Sequence, residues 1–424
     1  MRCLASSRWL PTVSILLALA FLAGGTGSVD AGRKKKGKRK LGPAGEIAPG
    51  YVRAPYLQGL GPDSVLVIWM ATDPGTPAVD YGPTPDYGVT VTAVTDGTRR
   101  VATLRGLQPG ATYFYRVRAG VRVLAEGPGY SFRTDAGRLD RAFSFFVTGD
   151  VGDRKLQQVL TSQSILRAAP RPELGILCGD VVYKKGRSSE YDRCLMRPWA
   201  ELLRTIPVWP ALGNHDWKSP PERNWEQEWY LPHNEHYYSF DYANAHFIAL
   251  DTRDGDLYDL EHQVAWLEND LVHSQNADWI FAYFHHPGIT CTYKGNNDAV
   301  VEHFVPLFDR YAVDVVFSGH AHTYERLYPI ARGAPVNVEQ DPHYTDPPGT
   351  LYIVSGAGAK VKEGRPTKRC GPTAFFLDET IVWTQVLIDA ARCTIRTFES
   401  ATDALVDEVT ITKSRLAAAS PAQP

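Results

Sequence analysis

The chain has 424 residues, more than one hydrophobic core accommodates, and its 44% hydrophobic and 22% charged residues exclude a chain that is disordered throughout. Nine Lys and Arg lie in residues 1–40 against one acidic residue, which leaves 36 basic against 46 acidic residues in the remainder. The excess of acidic residues after residue 40 argues against nucleic acid as a partner, because phosphate backbones are bound by clustered basic side chains.

The first segment has the layout of a secretory signal peptide. Arg2 and Arg8 precede the apolar run 14–23, and small residues follow at 24–27. The run is shorter than the roughly 20 apolar residues that span a membrane. We therefore expect a signal peptide over 1–27, no stable membrane anchor, and a secreted or periplasmic protein, with an uncleaved anchor as the alternative.

The basic segment after the signal peptide and the cysteines lead to two further expectations. Residues 28–46, which contain the basic run RKKKGKRK, are predicted to form a disordered linker. After removal of Cys3, five cysteines remain, and an odd number leaves at least one of them free or bonded to another chain. Their spacing contains no CxxC pair, and no disulfide pairing is assigned.

Residues 47–136 are predicted to form an all-β sandwich. Short β-rich runs such as VLVIW at 65–69 and TYFYRVRA at 112–119 alternate with turn signals. Trp69 and the LQPGATY segment at 107–113 resemble the core tryptophan and the tyrosine corner of a fibronectin type III domain. We expect these residues to have structural roles.

Residues 141–413 have a different pattern, in which apolar strands alternate with helical periodicity. Leu156, Val159, Leu160 and Leu166, for example, recur on one face of a helix. This alternation predicts an α/β domain with a largely buried sheet. The loop near 336–348 and the tail 414–424 are expected to be mobile. The predicted strands are 143–148, 174–178, 206–212, 246–250, 279–284 and 313–318.

Polar side chains with metal-binding chemistry follow all but one of these strands. Ligands of open α/β sheets bind beyond the carboxyl ends of the strands, so we expect these loops to converge on one site. A glycine before several of the polar residues would allow the chain to turn sharply. The blocks are GDVGD at 149–153, GDVVY at 179–183, GNHDW at 213–217, HHP at 285–287 and GHAH at 319–322.

The side chains in these blocks suit a pair of metal ions. Carboxylate, phenol, amide and imidazole donors are typical ligands of iron, manganese or zinc. They outnumber the ligands of one tetrahedral ion, whereas two ions about 3.5–4 Å apart that share a carboxylate would use them all. The candidate ligands are Asp150, Asp180, Tyr183, Asn214, His285, His320 and His322.

In this order, and each after a strand, the five blocks resemble the motifs of the purple acid phosphatases, within the calcineurin-like metallophosphoesterases. The resemblance covers roughly 143–326 and implies a four-layer α/β/β/α sandwich behind the fibronectin-like domain. It implies that Asp150, Asp180, Tyr183 and His322 bind Fe3+, and that Asp180 bridges to a second ion. That second ion would be Fe2+, Zn2+ or Mn2+, completed by Asn214, His285 and His320.

The resemblance also implies an activity, which is hydrolysis of small phosphate monoesters by attack of a metal-bound hydroxide. His215 matches the family residue that orients the phosphate or protonates the leaving group. A second histidine is common in the family after the block that begins at His285, and Lys294 stands at that position here. An ammonium binds phosphate but is a poor acid near neutral pH.

Three other interpretations are weighed against this one. A phosphodiesterase or nucleotide pyrophosphatase would use the same blocks. A non-catalytic secreted protein could bind metal only for stability, but the retained His215 argues against that role. Singly, Asp150, Asp180 and Asn214 could be helix caps or turn residues, whereas the ordered set favours metal binding.

Overall fold

The computed structural model describes residues 51–138, 142–218, 224–253, 259–362 and 371–417. The predicted signal peptide over 1–27, the predicted linker over 28–46 and residues 418–424 of the predicted tail lie outside the described residues. Among the helices within these ranges, none is both long enough and apolar enough to cross a membrane.

The described residues before 139 form two facing antiparallel sheets. One sheet has the order β1-β2-β6-β5, and the other has the order β4-β3-β7-β8 with β9 also paired to β7. Buried and more exposed residues alternate along β6 and β7, as expected for strands with one face on a core. The all-β prediction is confirmed. The strands are β1 Tyr51–Gln58, β2 Ser64–Ala71, β3 Pro77–Gly82, β4 Val89–Thr92, β5 Val94–Asp96, β6 Arg99–Arg105, β7 Thr112–Ala119, β8 Arg122–Ala125 and β9 Ser131–Arg133.

The residues that resembled a tyrosine corner do have structural roles. Trp69 is fully buried, and the ring of Tyr113 stacks on Phe132 with centroids 5.9 Å apart. The backbone N–H of Gln108 donates to the hydroxyl of Tyr113 at 3.0 Å. This bond closes the turn between the predicted LQP segment and β7, and it satisfies a polar group that the turn would otherwise leave without a partner.

From residue 142 onward the chain alternates strands and helices, and each of the six predicted strands is present within a few residues of its predicted bounds. The elements up to residue 318 are β10 Phe143–Thr148, α1 Leu156–Arg167, β11 Leu174–Cys178, α2 Ser188–Tyr191, α3 Ala200–Leu203, β12 Val208–Ala211, α4 Trp225–Glu228, β13 Tyr238–Tyr242, β14 Ala245–Ala249, α5 Leu260–His273, β15 Trp279–Tyr283, α6 Val305–Arg310 and β16 Val315–Ser318.

After residue 318 the described chain is mostly strands. They are β17 Tyr324–Leu327, β18 Ile330–Ala331, β19 Ala334–Pro335, β20 His343–Thr345, β21 Leu351–Ser355, β22 Thr373–Leu377, β23 Val382–Asp389, β24 Arg392–Glu399 and β25 Leu405–Thr412, and a helical turn α7 Ser414–Ala417 follows.

Regular secondary structure is present in parts of the loop and tail that were expected to be mobile. The loop near 336–348 contains β20, which pairs parallel to β25. Its buried Tyr344 accepts a hydrogen bond from Arg326 and donates one to Asp341. Residues 414–417, at the start of the predicted tail, form the helical turn α7, and Asp346 accepts the backbone N–H of Ser414 at 2.9 Å.

The second part of the chain is a four-layer α/β/β/α sandwich, as predicted. Its sheets have the orders β12-β11-β10-β23-β24-β25-β20 and β13-β14-β15-β16-β21-β17-β22. Phe145 of the first sheet contacts Phe247 and Phe281 of the second, with ring centroids 5.1 and 5.2 Å apart. Helix α1 covers the first sheet, where Trp383 donates to Ser164, and α5 packs Leu267 into the core outside the second sheet.

Each sheet contains neighbouring parallel strands, which lie at one side of the first sheet and at the centre of the second. β10, β11 and β12 are mutually parallel in the first sheet, and β14, β15, β16 and β21 are parallel in the second. Their carboxyl ends therefore meet at one edge of the sandwich, which is where ligands of such sheets bind.

The cysteines agree with the expectation that at least one is free. Among the cysteines in the described ranges, Cys178, Cys194 and Cys393 are free and buried. Cys291 is disulfide-bonded. Burial raises the pKa of Cys178 and Cys393 well above the usual thiol range, so these two side chains are packed as small apolar groups.

Candidate metal centre

All seven candidate ligands meet at the edge where the parallel strands end. The first sheet contributes the loops after β10, β11 and β12, and the second sheet contributes those after β15 and β16. Ligand atoms of Asp150, Asp180 and His285 lie within 4.8 Å of one another, and all three residues are buried. The structure thus brings together residues that five separate blocks supply.

Asp150 is the centre of one half of the cluster. Its Oδ1 accepts the hydroxyl of Tyr183 at 2.8 Å and lies 3.3 Å from Nε2 of His322. Its Oδ2 accepts the backbone N–H of His320 at 2.7 Å. One carboxylate therefore contacts the loops that follow β11 and β16.

Asp180 is the centre of the other half. Its Oδ1 lies 3.4 Å from Nε2 of His285 and accepts the backbone N–H of His215 at 2.8 Å. The same Nε2 lies 3.2 Å from Oδ1 of Asn214. Because Asp180 is also within 4.8 Å of Asp150, it lies between the two groups of ligands, as a bridging carboxylate must.

The ring of His285 shows that this cluster suits a cation. Its Nδ1 lies 2.9 Å from the carbonyl of Cys178, which only accepts, so Nδ1 carries the proton and Nε2 has a lone pair. Burial lowers the pKa of His285, so the neutral ring is favoured. That lone pair faces oxygen atoms of Asp180 and Asn214, and Nδ1 of His320 is 3.3 Å away. A positive ion between these donor atoms would stabilise their close approach, so the cluster could hold a metal ion.

His320 is also held neutral. Burial lowers its pKa to about 2, and the nearby His285, His286 and Lys294 act in the same direction. A neutral imidazole offers the lone pair that a metal ion requires.

The hydroxyl of Tyr183 donates a hydrogen bond to Asp150, and a metal ion that binds the phenol oxygen would have to displace that proton. Burial raises the pKa of Tyr183 well above its usual range, and the charges of Asp150 and Asp180 raise it further. Burial also tends to raise the pKa of Asp150, but hydrogen bonding from His322 and the other neighbours outweighs it and holds the pKa below the usual range. Only a strongly polarising cation would make this phenol a phenolate ligand.

The backbone at the site adopts conformations that are rare elsewhere. Asp150, Asp180 and His320 have φ values of 58°, 49° and 66°, in the left-handed region that costs of order 1–3 kcal/mol for residues with a Cβ. A Cβ on Gly213 would lie 2.2 Å from the backbone nitrogen of Asp180, so glycine is needed there. Such strained residues cluster at functional sites.

The buried carboxylate of Asp216 connects two of the loops that carry candidate ligands. Asp216 accepts the N–H groups of Val182 at 3.1 Å and Gly213 at 2.9 Å, so it joins the loop of Tyr183 to that of Asn214. Burial and the charge of Asp180 raise the pKa of Asp216 well above its usual range. Asp216 therefore fixes the positions of the two loops through their backbone N–H groups.

His215 and Lys294 lie at the open side of the cluster. Nδ1 of His215 donates to the carbonyl of Lys184 at 2.9 Å, while its Nε2 is 4.0 Å from Oδ2 of Asp180. The side chain of His215 is 25% exposed, so a substrate has access to it. Lys294 is exposed, and its charge contributes to the low pKa of His320.

Three residues at the site carried no clear signal in the sequence. The ammonium of Lys360 lies 3.3 Å from the ring centroid of Tyr183, and the backbone N–H of Lys362 donates to the carbonyl of His322 at 3.2 Å. Buried His286 has its ring 4.3 Å from that of His320. The GAGAKVK segment after β21 was recognisable only as a turn, so the two lysines were missed.

Family models match both parts of the chain. A model described as calcineurin-like phosphoesterase matches residues 143–324, and a model described as purple acid phosphatase, N-terminal domain, matches residues 53–134.

This chain matches different fractions of the length of three similar curated proteins. Purple acid phosphatase 21 of Arabidopsis thaliana is 29% identical over 61% of this chain, and the chain spans only 57% of that relative. Probable purple acid phosphatase 20 of the same plant is 27% identical over 86% of each chain. Acid phosphatase type 7 of Mus musculus is 26% identical over 73% of this chain and 78% of its own.

Solved structures show the same fold. The purple acid phosphatase PPD1 of yellow lupin (Lupinus luteus) superposes with a TM-score of 0.75 over 87% of this chain and 75% of its own, at 20% identity. PhoD superposes with a TM-score of 0.63 over 85% and 89%, at 13% identity.

Proposed function

Because this chain belongs to the purple acid phosphatase family of calcineurin-like metallophosphoesterases, we propose that it hydrolyses phosphate monoesters with two bound metal ions. The convergence of electron-pair donors on the unprotonated Nε2 of His285 carries this proposal. Seven donors in one cluster are too many for a single tetrahedral ion.

The contacts suggest how the ligands divide between the two ions. Asp150, Tyr183 and His322 form one group, and Asn214, His285 and His320 form the other. The buried phenol of Tyr183 supports Fe3+ in the first group, because that ion is polarising enough to displace its proton. The second group, which Asp180 joins to the first, suits Fe2+, Zn2+ or Mn2+.

When bound, the two ions would activate water and neutralise charge on the phosphoryl oxygens. The protein's own part in the reaction is to orient the ester and to supply a proton. Since Nδ1 of His215 is fixed on the carbonyl of Lys184, its Nε2 faces the open site. A protonated Nε2 would donate to a phosphoryl oxygen or to the leaving oxygen. Lys294 would attract the ester as a point charge.

Two substrates distinguish the monoesterase from the diesterase interpretation. We expect the metal-loaded protein to hydrolyse p-nitrophenyl phosphate with a higher kcat/KM than bis(p-nitrophenyl) phosphate. A faster bis-ester would assign the site to phosphodiesters, and loss of both activities in fully loaded protein would favour a non-catalytic metal-binding protein.

Metal analysis tests the two-ion proposal directly. Purified protein should contain close to two metal ions per chain, measured by elemental analysis on gently purified material. Full activity with no bound metal would contradict the proposal. The absorption spectrum identifies the first ion, because a tyrosinate bound to Fe3+ gives a purple or pink protein.

Secretion is part of the same proposal. Arg2 and Arg8 before an apolar run, together with a disulfide at Cys291, support passage through an oxidising compartment. Sequencing the first residues of exported protein should locate the new terminus near residue 28. Retention of the full chain inside the producing cell would contradict secretion.

A further inference from the structure

Arg53 is a buried charge that joins the two parts of the chain. It lies on β1, within residues 51–138, which we call the N-terminal sandwich, and only 1% of its side chain is exposed. Its Nε donates to Oδ1 of Asp192 at 2.8 Å, and its Nη1 donates to Oε2 of Glu228. Because removing a charge from water is costly, these two carboxylates of the second part compensate the guanidinium.

Asp192 belongs to a helical segment that holds the loop after β11. This segment, residues 188–196, contains α2 and a π-helical turn. Glu190 of the segment accepts the backbone N–H groups of Lys184 at 3.2 Å and Lys185 at 3.0 Å. A carboxylate that accepts two neighbouring backbone N–H groups fixes the path of the chain at that point. The contact from Arg53 to Asp192 therefore reaches this loop through one helical segment.

The same segment also holds the two carbonyl groups at the start of this loop region. The thiol of Cys194 donates to the carbonyl of Tyr183 at 3.3 Å. The next carbonyl, that of Lys184, accepts Nδ1 of His215 at 2.9 Å. The positions of the candidate ligand Tyr183 and of the His215 ring therefore both depend on the backbone of residues 183–185.

The second contact of Arg53 leads to the same segment. Glu228 lies on α4 and is 1% exposed, and the ring of the next residue, Trp229, packs edge-on against Tyr191 with centroids 6.1 Å apart. Burial raises the pKa of Tyr191 well above its usual range, and the charges of Asp216 and Glu228 raise it further. The guanidinium thus adjoins a buried polar layer between the N-terminal sandwich and the loops of the metal centre.

The geometry of this ion pair matters more than its net energy. A buried ion pair contributes little stability relative to packed apolar residues, because desolvation offsets the Coulomb attraction. A guanidinium, however, presents its N–H groups in fixed directions, so it sets where its carboxylate partners lie. Arg53 uses two different nitrogens for two carboxylates, and each carboxylate belongs to a different helical segment.

On this basis we infer that Arg53 is a positioning residue, through which the N-terminal sandwich holds the backbone of residues 183–185 and the side chains of Tyr183 and His215 in place. This inference rests on the proposed phosphatase function and gives the N-terminal sandwich a role in it. Because Arg53 acts through other residues, its loss should change kcat more than KM.

The test removes both members of the ion pair, so that no unpaired charge remains buried. In metal-loaded protein, Arg53→Met/Glu228→Gln should lower kcat for p-nitrophenyl phosphate about tenfold, with KM within about twofold of the wild-type value, because His215 loses its orientation. Arg53→Lys keeps the buried charge but not the two fixed directions, so it should lower kcat about threefold. This second variant tests the inference even if the double variant fails to fold. A wild-type kcat in the folded variants would overturn it.

Asp314→Asn/Lys413→Met is the matched control. It also removes a buried ion pair, whose side chains are 10% and 14% exposed and 2.7 Å apart. Asp314 precedes β16 and accepts the backbone N–H of Ile280 near the start of β15, so this pair lies at the edge of the sandwich opposite the candidate ligands. The control should keep kcat within about twofold of wild type. Equal falls in kcat for the two double variants would overturn the inference in favour of a general loss of stability.

Amide hydrogen exchange separates this inference from the proposed function. Peptides that cover residues 183–187 should exchange about tenfold faster in Arg53→Met/Glu228→Gln, or in Arg53→Lys by a smaller factor, and unchanged in the control. A lower kcat without faster exchange in these peptides would contradict the inference. If p-nitrophenyl phosphate is hydrolysed but neither kcat nor exchange responds to Arg53, the inference fails and the phosphatase stands. If wild type hydrolyses no ester but the exchange responds, the phosphatase fails and the structural role of Arg53 stands.

Discussion

Replacing His246 should make the stability of the protein much less dependent on pH. His246 lies on β14 and is 9% exposed, and its two ring nitrogens contact carboxylates of Asp241 and Asp270 at 2.7 and 2.8 Å. Since both partners only accept, both nitrogens carry protons and the ring is an imidazolium. It joins the hairpin of β13 and β14 to helix α5.

The magnitude follows from the pKa of this histidine. Burial lowers the pKa of His246, but the hydrogen bonds to Asp241 and Asp270 outweigh it and raise the pKa from 6.5 to about 9. A shift of that size corresponds to at most about 3 kcal/mol. Because Asp241 is 79% exposed and screened by water, about 1–3 kcal/mol is expected. The stabilisation is fully present below pH 6.5 and is lost as the pH rises through 9.

The assay is thermal unfolding of metal-loaded protein at pH 6.0, 7.5 and 9.5. His246→Gln should lower Tm by roughly 3–6 °C at pH 6.0, and by less than half of that at pH 9.5. His262→Gln is the matched control, because that histidine also contacts a carboxylate but is 78% exposed. A Tm difference between wild type and His246→Gln that stays constant from pH 6.0 to 9.5 would refute the ion-pair explanation.

The remaining predictions concern the metal centre. Asp180→Ala should cost more bound metal than Asp150→Ala by elemental analysis, because Asp180 lies between both groups of ligands, and equal losses would contradict a bridging role. Tyr183→Phe should bleach an iron-loaded protein in the visible spectrum while zinc-loaded protein stays colourless. His215→Ala should retain metal and lower kcat/KM by about 10²–10⁴-fold. Lys294→Ala should mainly raise KM for p-nitrophenyl phosphate, and an unchanged KM would show that phosphate recognition lies elsewhere.

The layers of the fold could be predicted because each strand and helix carries its own local signal. The runs that form β10 and β11 are mostly apolar and buried on both faces, as strands inside a layered sandwich are. The position of the site also followed from local signals, since each block begins where a strand ends. β20 was missed because it contains a single buried side chain, Tyr344, in a polar and proline-rich stretch.

Contacts between distant side chains could not be predicted from spacing. Lys360 contacts the ring of Tyr183 only because β21 lies next to β16 and carries the GAGA turn to the same edge of the sandwich. Likewise, the two carboxylates around His246 come from a neighbouring strand and from α5, and neither stands at a spacing that suggests a pair. A lysine or histidine outside a recognised motif has no property in the sequence that reveals such a partner.

If this acidic protein binds phosphate esters as proposed, the attraction must be local, and the proposed metal centre would supply it. A trivalent and a divalent ion would carry five positive charges against three from Asp150, Asp180 and an ionised Tyr183, so the loaded cluster is positive although its protein part is negative. The ammonium groups of Lys294 and Lys360 lie near the same cluster and would add to its positive charge. A phosphate ester would therefore be attracted to the region where the proposed metal ions lie, although the net charge of residues 41–424 is negative.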